Sequence, residues 1–393
     1  MTVDELKIGV LATLVGPYAG GGEEGIRGVK LAVEEFGEAI AGRRITIIKE
    51  STNAMPDSAE LMADLLLDQH KVDFIIGPLS GNEGLAMRDY AKTRPDKAFV
   101  NGIAGAQDIT LRDPAENFFS FTTNGVQWIT GLAEHAYTVM GYNRVATLAE
   151  DYSYPHGQIG GFTIQYCKLG GKIVQKLWVP LGTIDYSSVI KDMPTDIDAI
   201  FVALGGADSV NFLQQYEKTG RKTPLIAGSI TIDQTVLGVR GTLSERLVGT
   251  ITSGPISDDN PDPAWQAFVE AYRARFPRGL SSPSLFAWGY YVNTKAALLA
   301  LQAVKADLSD KQVKFMAALR KLVFDTPTGR VKLDHNRNAI GSMFINEVAK
   351  HSDGTLYTRL VKTIPHVDQT FGIPEAEYLK IGMFNRGNPS PCP

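Results

Sequence analysis

The chain of 393 residues is poor in cysteine, has no excess of positive charge and contains no long apolar run. Its two cysteines, Cys167 and Cys392, are too few and too far apart for a zinc site. They read either as unrelated thiols or as one bond that pins the final segment in an oxidising compartment. Lys and Arg number 39 against 43 Asp and Glu, a formal net charge of −4, and no basic run is present. A nucleic-acid binder would carry a basic patch or domain, so no nucleic-acid partner is expected. No stretch reaches the ~18 apolar residues of a membrane span, which argues against direct insertion. The opening "MTVDELKIGV" enters a strand almost at once, without a charged-then-apolar leader. The expectation is an extracytoplasmic chain from which a secretory peptide has been removed, with a cytosolic protein as the alternative.

Chemical signatures are equally sparse. A phosphate loop of the G-x-x-x-x-G-K-[ST] type is absent, and "GPLSG" places its serine one position too late for a nucleophile elbow. The six histidines, at 70, 135, 156, 335, 351 and 366, form no ligand spacing. His156 alone lies near a loop of interest. No catalytic residue, metal site or cofactor is therefore expected, and the chain reads as a binder rather than an enzyme. One motif tests that view. "GGGEEG" at 20–25 has the G-x-G-x-x-G spacing, follows a strand and opens a helix, and Glu50 stands where a ribose-binding acid would. Against it, four residues separate the strand from the glycines. Glu23 and Glu24 are also expected in the first helical turn, where they would repel a pyrophosphate. An NAD-dependent enzyme is the weakest alternative.

What the sequence does contain is a repeated switch of hydrophobic period. β-rich runs at 7–14, 44–50, 72–77, 98–102, 144–150, 172–179, 198–204, 224–228 and 248–254 alternate with helical spacing at 24–39, 57–70, 82–93, 125–141, 156–169 and 207–219. That alternation implies βαβ units and parallel sheets. Nine strands at this length imply two α/β lobes, each a doubly wound parallel sheet. After 263 the pattern changes to helices at 264–276, 284–305 and 309–322, then to strands at 330–334, 342–348 and 357–364, so the chain crosses between lobes more than once. Residues 366–393 read as a tail on the surface.

In open parallel sheets ligands bind at the carboxyl ends of the strands. The loops there are Val15 to Tyr18, Leu79-Ser80-Gly81-Asn82 and Ile103-Ala104-Gly105-Ala106 in the first lobe. In the second they are Asp151 to Tyr154, Gly205-Gly206-Ala207 and Ser229-Ile230-Thr231. They are small, hydroxyl-bearing or aromatic, and short of fixed charge. Small residues let main-chain N–H groups approach an anion, and a helix N-terminus favours one negative charge. A triphosphate would call for Lys or Arg, so a single carboxylate fits better. Tyr18, Trp128, Tyr152 and Tyr154 can stack on a ligand ring. Trp178, Trp265 and Trp288 read as core.

The segments "KIGVLATLVGPYAGGGEEGIRGVKLAVEE", "FIIGPLSGNEGLAMRDYA", "FVNGIAGAQDIT", "DYSYPHGQIGGFTIQYCKLGGKIV" and "SLFAWGYYVNTKAALLAL" resemble, in order and spacing, periplasmic solute-binding proteins of the branched-chain amino acid (Leu/Ile/Val) type, which serve ABC importers. The resemblance implies the type I periplasmic-binding fold, two lobes joined by a three-strand hinge that closes on ligand. It implies lobe one as 1–122 plus 253–328 and lobe two as 123–252 plus 329–365. It implies an ABC permease as partner and a monomer in solution. The loops matching Leu79 to Asn82 and Ala104-Gly105 hold the ligand carboxylate in that family, and a tyrosine matching Tyr154 comes from the other lobe. Amino-acid binders of the family also hold the ligand ammonium with a second-lobe carboxylate. Here those loops read Gly206-Ala207 and Ser229-Ile230, with Asp208 and Asp233 displaced into helix starts. A buried ammonium without a partner is costly, so an aromatic or other small carboxylic acid is expected ahead of an amino acid. A cytosolic ligand sensor of the same fold is a further alternative.

Overall fold

The computed structural model describes residues 5–239, 245–390 and 392. The architecture is mixed α/β with two sheets, each dominated by parallel pairs. By their contacts, residues 1–124, 262–279 and 283–341 form one unit, and 125–261, 280–282 and 342–393 form the second.

The first unit opens with β1 (Glu5–Thr13) and α1 (Ala19–Glu35), followed by β2 (Ala39–Ile40), β3 (Arg43–Thr52) and α2 (Pro56–Asp64). Next come β4 (Phe74–Ile76), α3 (Gly81–Thr93), β5 (Phe99–Val100) and β6 (Phe118–Phe119). The sheet order is β2-β3-β1-β4-β5-β6. All its pairs are parallel except the β2–β3 pair, which is antiparallel. β1 is central and covered on both faces, which is why it reads as a continuous apolar run: Leu6, Ile8, Val10, Leu11 and Ala12 are wholly buried.

The second unit begins with two short helices, α4 (Gly125–Trp128) and α5 (Leu132–Glu134). β7 (Arg144–Glu150), α6 (Ser153–Lys168), β8 (Lys172–Val179) and α7 (Ser187–Asp192) follow, then β9 (Ala199–Ala203), α8 (Gly206–Lys218), β10 (Leu225–Ala227), α9 (Gln234–Leu237) and β11 (Ile251–Gly254). The chain then returns to the first unit for α10 (Pro263–Arg275), α11 (Leu285–Ala303), α12 (Val313–Lys321) and the hairpin β12 (Val323–Thr326) with β13 (Gly329–Leu333). β14 (Ala339–Lys350) starts against β13 and continues antiparallel to β11. β15 (Leu356–Val367) pairs with β14, and α13 (Glu375–Tyr378) lies in the final segment. Cys167 and Cys392 form a disulfide.

Two elements depart from the sequence expectation. The helix expected over 125–141 is broken at Gly131, whose φ of +79° is left-handed. A side chain there would also collide with Ile364. The helix expected from residue 24 begins at Ala19, so the glycines of "GGGEEG" lie inside it and the acids fall beyond its first turn. The glycines are there for close approach. A Cβ on Gly22 would overlap the Thr13 carbonyl, and one on Gly28 would overlap the Ala287 carbonyl. Gly21 and Gly25 sit against Phe286 and Tyr290 of α11. The spacing 21, 25, 28 is one helix face. Glu24 is buried and accepts hydrogen bonds from the Tyr272 hydroxyl at 2.8 Å and from Arg27. Glu50 contacts His70 Nε2 at 3.1 Å.

Gly28→Ala is expected to lower unfolding free energy by about 2–3 kcal/mol, because its obstacle is backbone that cannot yield. Gly20→Ala, whose Cβ meets nothing within 4 Å, is expected to gain up to about 1 kcal/mol. Urea denaturation of the two variants checks the contrast.

Candidate functional site

In the first unit the loop after β4 turns into α3 through a capping box. The Ser80 hydroxyl accepts from the Glu83 N–H at 3.2 Å, and the Glu83 carboxylate accepts from the Ser80 N–H at 3.0 Å. Glu83 is wholly buried. It also accepts from the Ala54 N–H at 3.0 Å and the Thr13 hydroxyl at 3.3 Å. Burial pushes its carboxyl above the ordinary range, against those hydrogen bonds. The Ser80 hydroxyl donates to the Ala54 carbonyl at 2.8 Å. Both donors of Ser80 are thus committed inside the unit.

The neighbouring loop after β5 is built in the same way. Asn101 Oδ1 accepts from the Ala104 N–H at 3.0 Å, while its amide donates to the Ala104 carbonyl at 3.0 Å. The Ile103 N–H donates to the Pro78 carbonyl at 3.1 Å, tying the two loops together. A Cβ on Gly84 would meet the Ala104 Cβ at 2.7 Å, so α3 packs directly on this loop. Ala104 therefore has its donor committed, as Ser80 does. The N–H groups of Gly81 and Gly105 keep no acceptor among the described residues. Gly81 is the first residue of α3, where no intrahelical acceptor exists. Leu79 and Ile103 are buried, and Asn82 is half-buried. Tyr18 is buried at the start of α1 with its ring 6.3 Å from that of Phe286.

The second unit presents aromatic groups. The rings of Trp128 and Tyr154 are 5.6 Å apart, and those of Tyr152 and Tyr154 are 6.3 Å apart. Tyr152 precedes α6 in extended backbone, and Pro155 lies in the first helical turn, where its missing N–H costs nothing. The Tyr154 hydroxyl is buried and makes no well-aligned hydrogen bond among the described residues. Burial first, and the nearby Glu150 carboxyl second, push its phenol well above the usual value. The Ser229 hydroxyl and the Ile230 N–H lie close enough to soften that shift. Gln158 clamps the Ser229 loop, donating to Ser229 Oγ at 3.1 Å and accepting from the Ser229 N–H at 3.2 Å. Gly206 and Ala207 open α8, half-buried and exposed respectively.

The second-unit acids near these loops are engaged with backbone. Asp208 accepts from the Gly182 N–H at 2.6 Å, and burial holds its carboxyl above the ordinary range. Asp233 caps α9 by accepting from the Thr235 N–H at 2.9 Å. Sequence reasoning missed Glu150, a wholly buried carboxylate at the end of β7 that accepts from the Gly205 N–H at 3.2 Å. Its only sequence signal was an acid closing an otherwise apolar strand. It also missed Asn101 and Glu83, which shape the first-unit loops. The sequence placed Glu83 correctly in a helix, but it put Asn101 in a strand over 98–102 that ends at Val100 in the structure, and it gave no sign of the burial of either.

Among the described residues, no helix is long and apolar enough to cross a membrane. A family model described as periplasmic binding protein matches residues 5–355. The chain is similar to Leu/Ile/Val-binding protein homolog 6 of Brucella melitensis biotype 1, with 25% identity over 369 residues and 92% of each chain covered. Among solved structures it is similar to an ABC transporter substrate-binding protein from Sphaerobacter thermophilus, at 27% identity and a TM-score of 0.83, covering 93% of this chain and 99% of that one. It is also similar to a solute-binding protein of an ABC transporter from Rhodopseudomonas palustris BisB5 in complex with 3,4-dihydroxybenzoic acid. That likeness has 24% identity and a TM-score of 0.85, with the same coverage of 93% and 99%.

Glu83→Ala is expected to cost at least about 3 kcal/mol, because it strands the Ala54 and Ser80 N–H groups in a dry interior. Ser80→Ala, which removes one cap, is expected to cost about 1 kcal/mol. Equilibrium unfolding in urea separates the two.

Proposed function

Because the chain belongs to the periplasmic binding protein family, we propose that it is the extracytoplasmic substrate-binding subunit of an ABC importer, and that its ligand is a small carboxylic acid, an aromatic one in the first place. The N–H groups of Gly81 and Gly105 receive the carboxylate. Both sit at the tops of parallel strands, one of them at the positive end of α3. Trp128, Tyr152 and Tyr154 take the body of the ligand, and the Tyr154 hydroxyl meets a polar group on it. The place of that hydroxyl is the single observation that carries the proposal: a buried phenol that makes no well-aligned hydrogen bond, beside the Ser229 hydroxyl and the Ile230 N–H and next to the rings of Trp128 and Tyr152, gains a bond when a ligand group reaches it. No bond is made or broken. Closure on the ligand is the expected hinge motion, favoured by contacts that exist only when ligand is bound, and delivery to a permease follows from the same reading.

The ligand class is argued from charge. Asp208 and Asp233 each accept a backbone hydrogen bond at a helix start, which takes up part of the acceptor capacity that an ammonium group would need. The relative solved with 3,4-dihydroxybenzoic acid supports an aromatic acid. One observation favours a second reading, an amino acid: the buried Glu150 lies near Tyr154 and could balance a positive charge.

Calorimetric titration with 3,4-dihydroxybenzoate and with leucine tests the choice. The aromatic acid is expected to bind at least about 100-fold more tightly, a difference of about 2.7 kcal/mol. Tyr154→Phe is expected to stabilise the ligand-free protein by about 1 kcal/mol while weakening that binding about tenfold. Failure of both solutes to bind at millimolar levels, or recovery of a chemically altered solute, would overturn the proposal.

A further inference from the structure

We propose that residues 384–390, with Cys392, are a strap that positions the ligand loop Asp151 to Tyr154, and that opening the Cys167–Cys392 bond weakens ligand binding. The proposal rests on reading that loop as part of the binding site. All the residues concerned belong to the second unit.

The strap grips α6 at both ends. At the far end Cys392 is bonded to Cys167 in the last turn of the helix, across 225 residues of sequence and 5.4 Å between Cα atoms. At the near end Arg386 Nε lies 2.8 Å from Asp151 Oδ2. The other oxygen of Asp151 lies 2.9 Å from Nε2 of His156 in the first turns of α6. Asp151 thus joins the strap to the helix, and Tyr152 and Tyr154 lie between Asp151 and His156 in sequence. Between the ends, the Phe384 ring presses on Gly160, where any side chain would collide with it. The Lys176 ammonium of β8 donates to the Pro389 carbonyl. The His156 ring meets Trp178 of the same strand edge-on, 5.0 Å between centroids, so the near end is held from the sheet side as well.

Magnitudes decide which contact matters most. The Arg386 side chain is 60% exposed and that of Asp151 31%, and such an ion pair contributes little alone. The covalent end acts differently. It limits how far the strap can leave the helix and so keeps the weak pair at high effective concentration. Arg386 is therefore a positioning residue, and the disulfide is the switch that makes its position count.

Amide hydrogen exchange on the ligand-free protein tests this without reference to any ligand. On reduction with a phosphine, and in Cys167→Ser/Cys392→Ser, exchange at residues 152–156 is expected to rise about tenfold, with about a two- to threefold rise in Arg386→Ala. Amides of β9 should not change. The dissociation constant of 3,4-dihydroxybenzoate should rise in the same order. Faster exchange confined to the strap, with 152–156 unmoved, would overturn the proposal. If the double variant does not fold, reduced wild type and Arg386→Ala carry the test. If wild type does not bind 3,4-dihydroxybenzoate, the ligand reading fails while the exchange result still decides the strap.

Discussion

One buried carboxylate organises the first unit's ligand loops. Glu83 takes hydrogen bonds from Thr13 at the end of β1, from Ala54 just beyond β3, and from Ser80 at the end of β4. Burying a charge costs several kcal/mol, and hydrogen bonds to a charged group return about 1.5–3 kcal/mol each. Three donors from three strand ends can offset the cost, and only if all three are held in place. The same network uses up the Ser80 N–H. What it leaves over, the Gly81 N–H at the head of α3, is the group available to an anion. Asn101 performs the corresponding task one loop further on, using the Ala104 N–H and leaving that of Gly105.

The second unit follows the complementary logic. Its acids near the loops are bonded to backbone N–H groups, its aromatic rings gather at the start of α6 and at α4, and the buried Tyr154 hydroxyl among them makes no well-aligned hydrogen bond. The Tyr154 hydroxyl, beside the rings of Trp128 and Tyr152, is polar demand placed at the ligand loops. Such a cost is kept at functional positions and offset by the surrounding fold. The segment closing the chain adds a clamp on the helix that carries this phenol.

The glycine-rich segment at 20–25 shows how one spacing serves two physical ends. In a dinucleotide fold its glycines would let backbone approach a pyrophosphate. Here they let α1 approach β1 and α11, with Thr13, Phe286, Tyr290 and Ala287 where a Cβ would go. The spacing is common to both, since close approach of any partner to one helix face requires small residues at the same intervals.

From sequence alone, hydrophobic period sufficed for the mixed α/β class, for the strands Arg144–Glu150 and Lys172–Val179 and for the near-complete extent of α3, α6 and α8. Each of these signals is local, because periodicity reports which face of an element is dry. The two-residue strand β6 and the break at Gly131 were not legible. They depend on a partner strand or on Ile364, which is remote in sequence. The same division runs through the site. The residue types at the strand ends, small and uncharged, were readable one loop at a time. Which N–H groups remain free could be decided only by the folded chain, because Ala54, Asn101 and Thr13 reach their partners through tertiary contact, and a hydrogen bond is allotted by position in space.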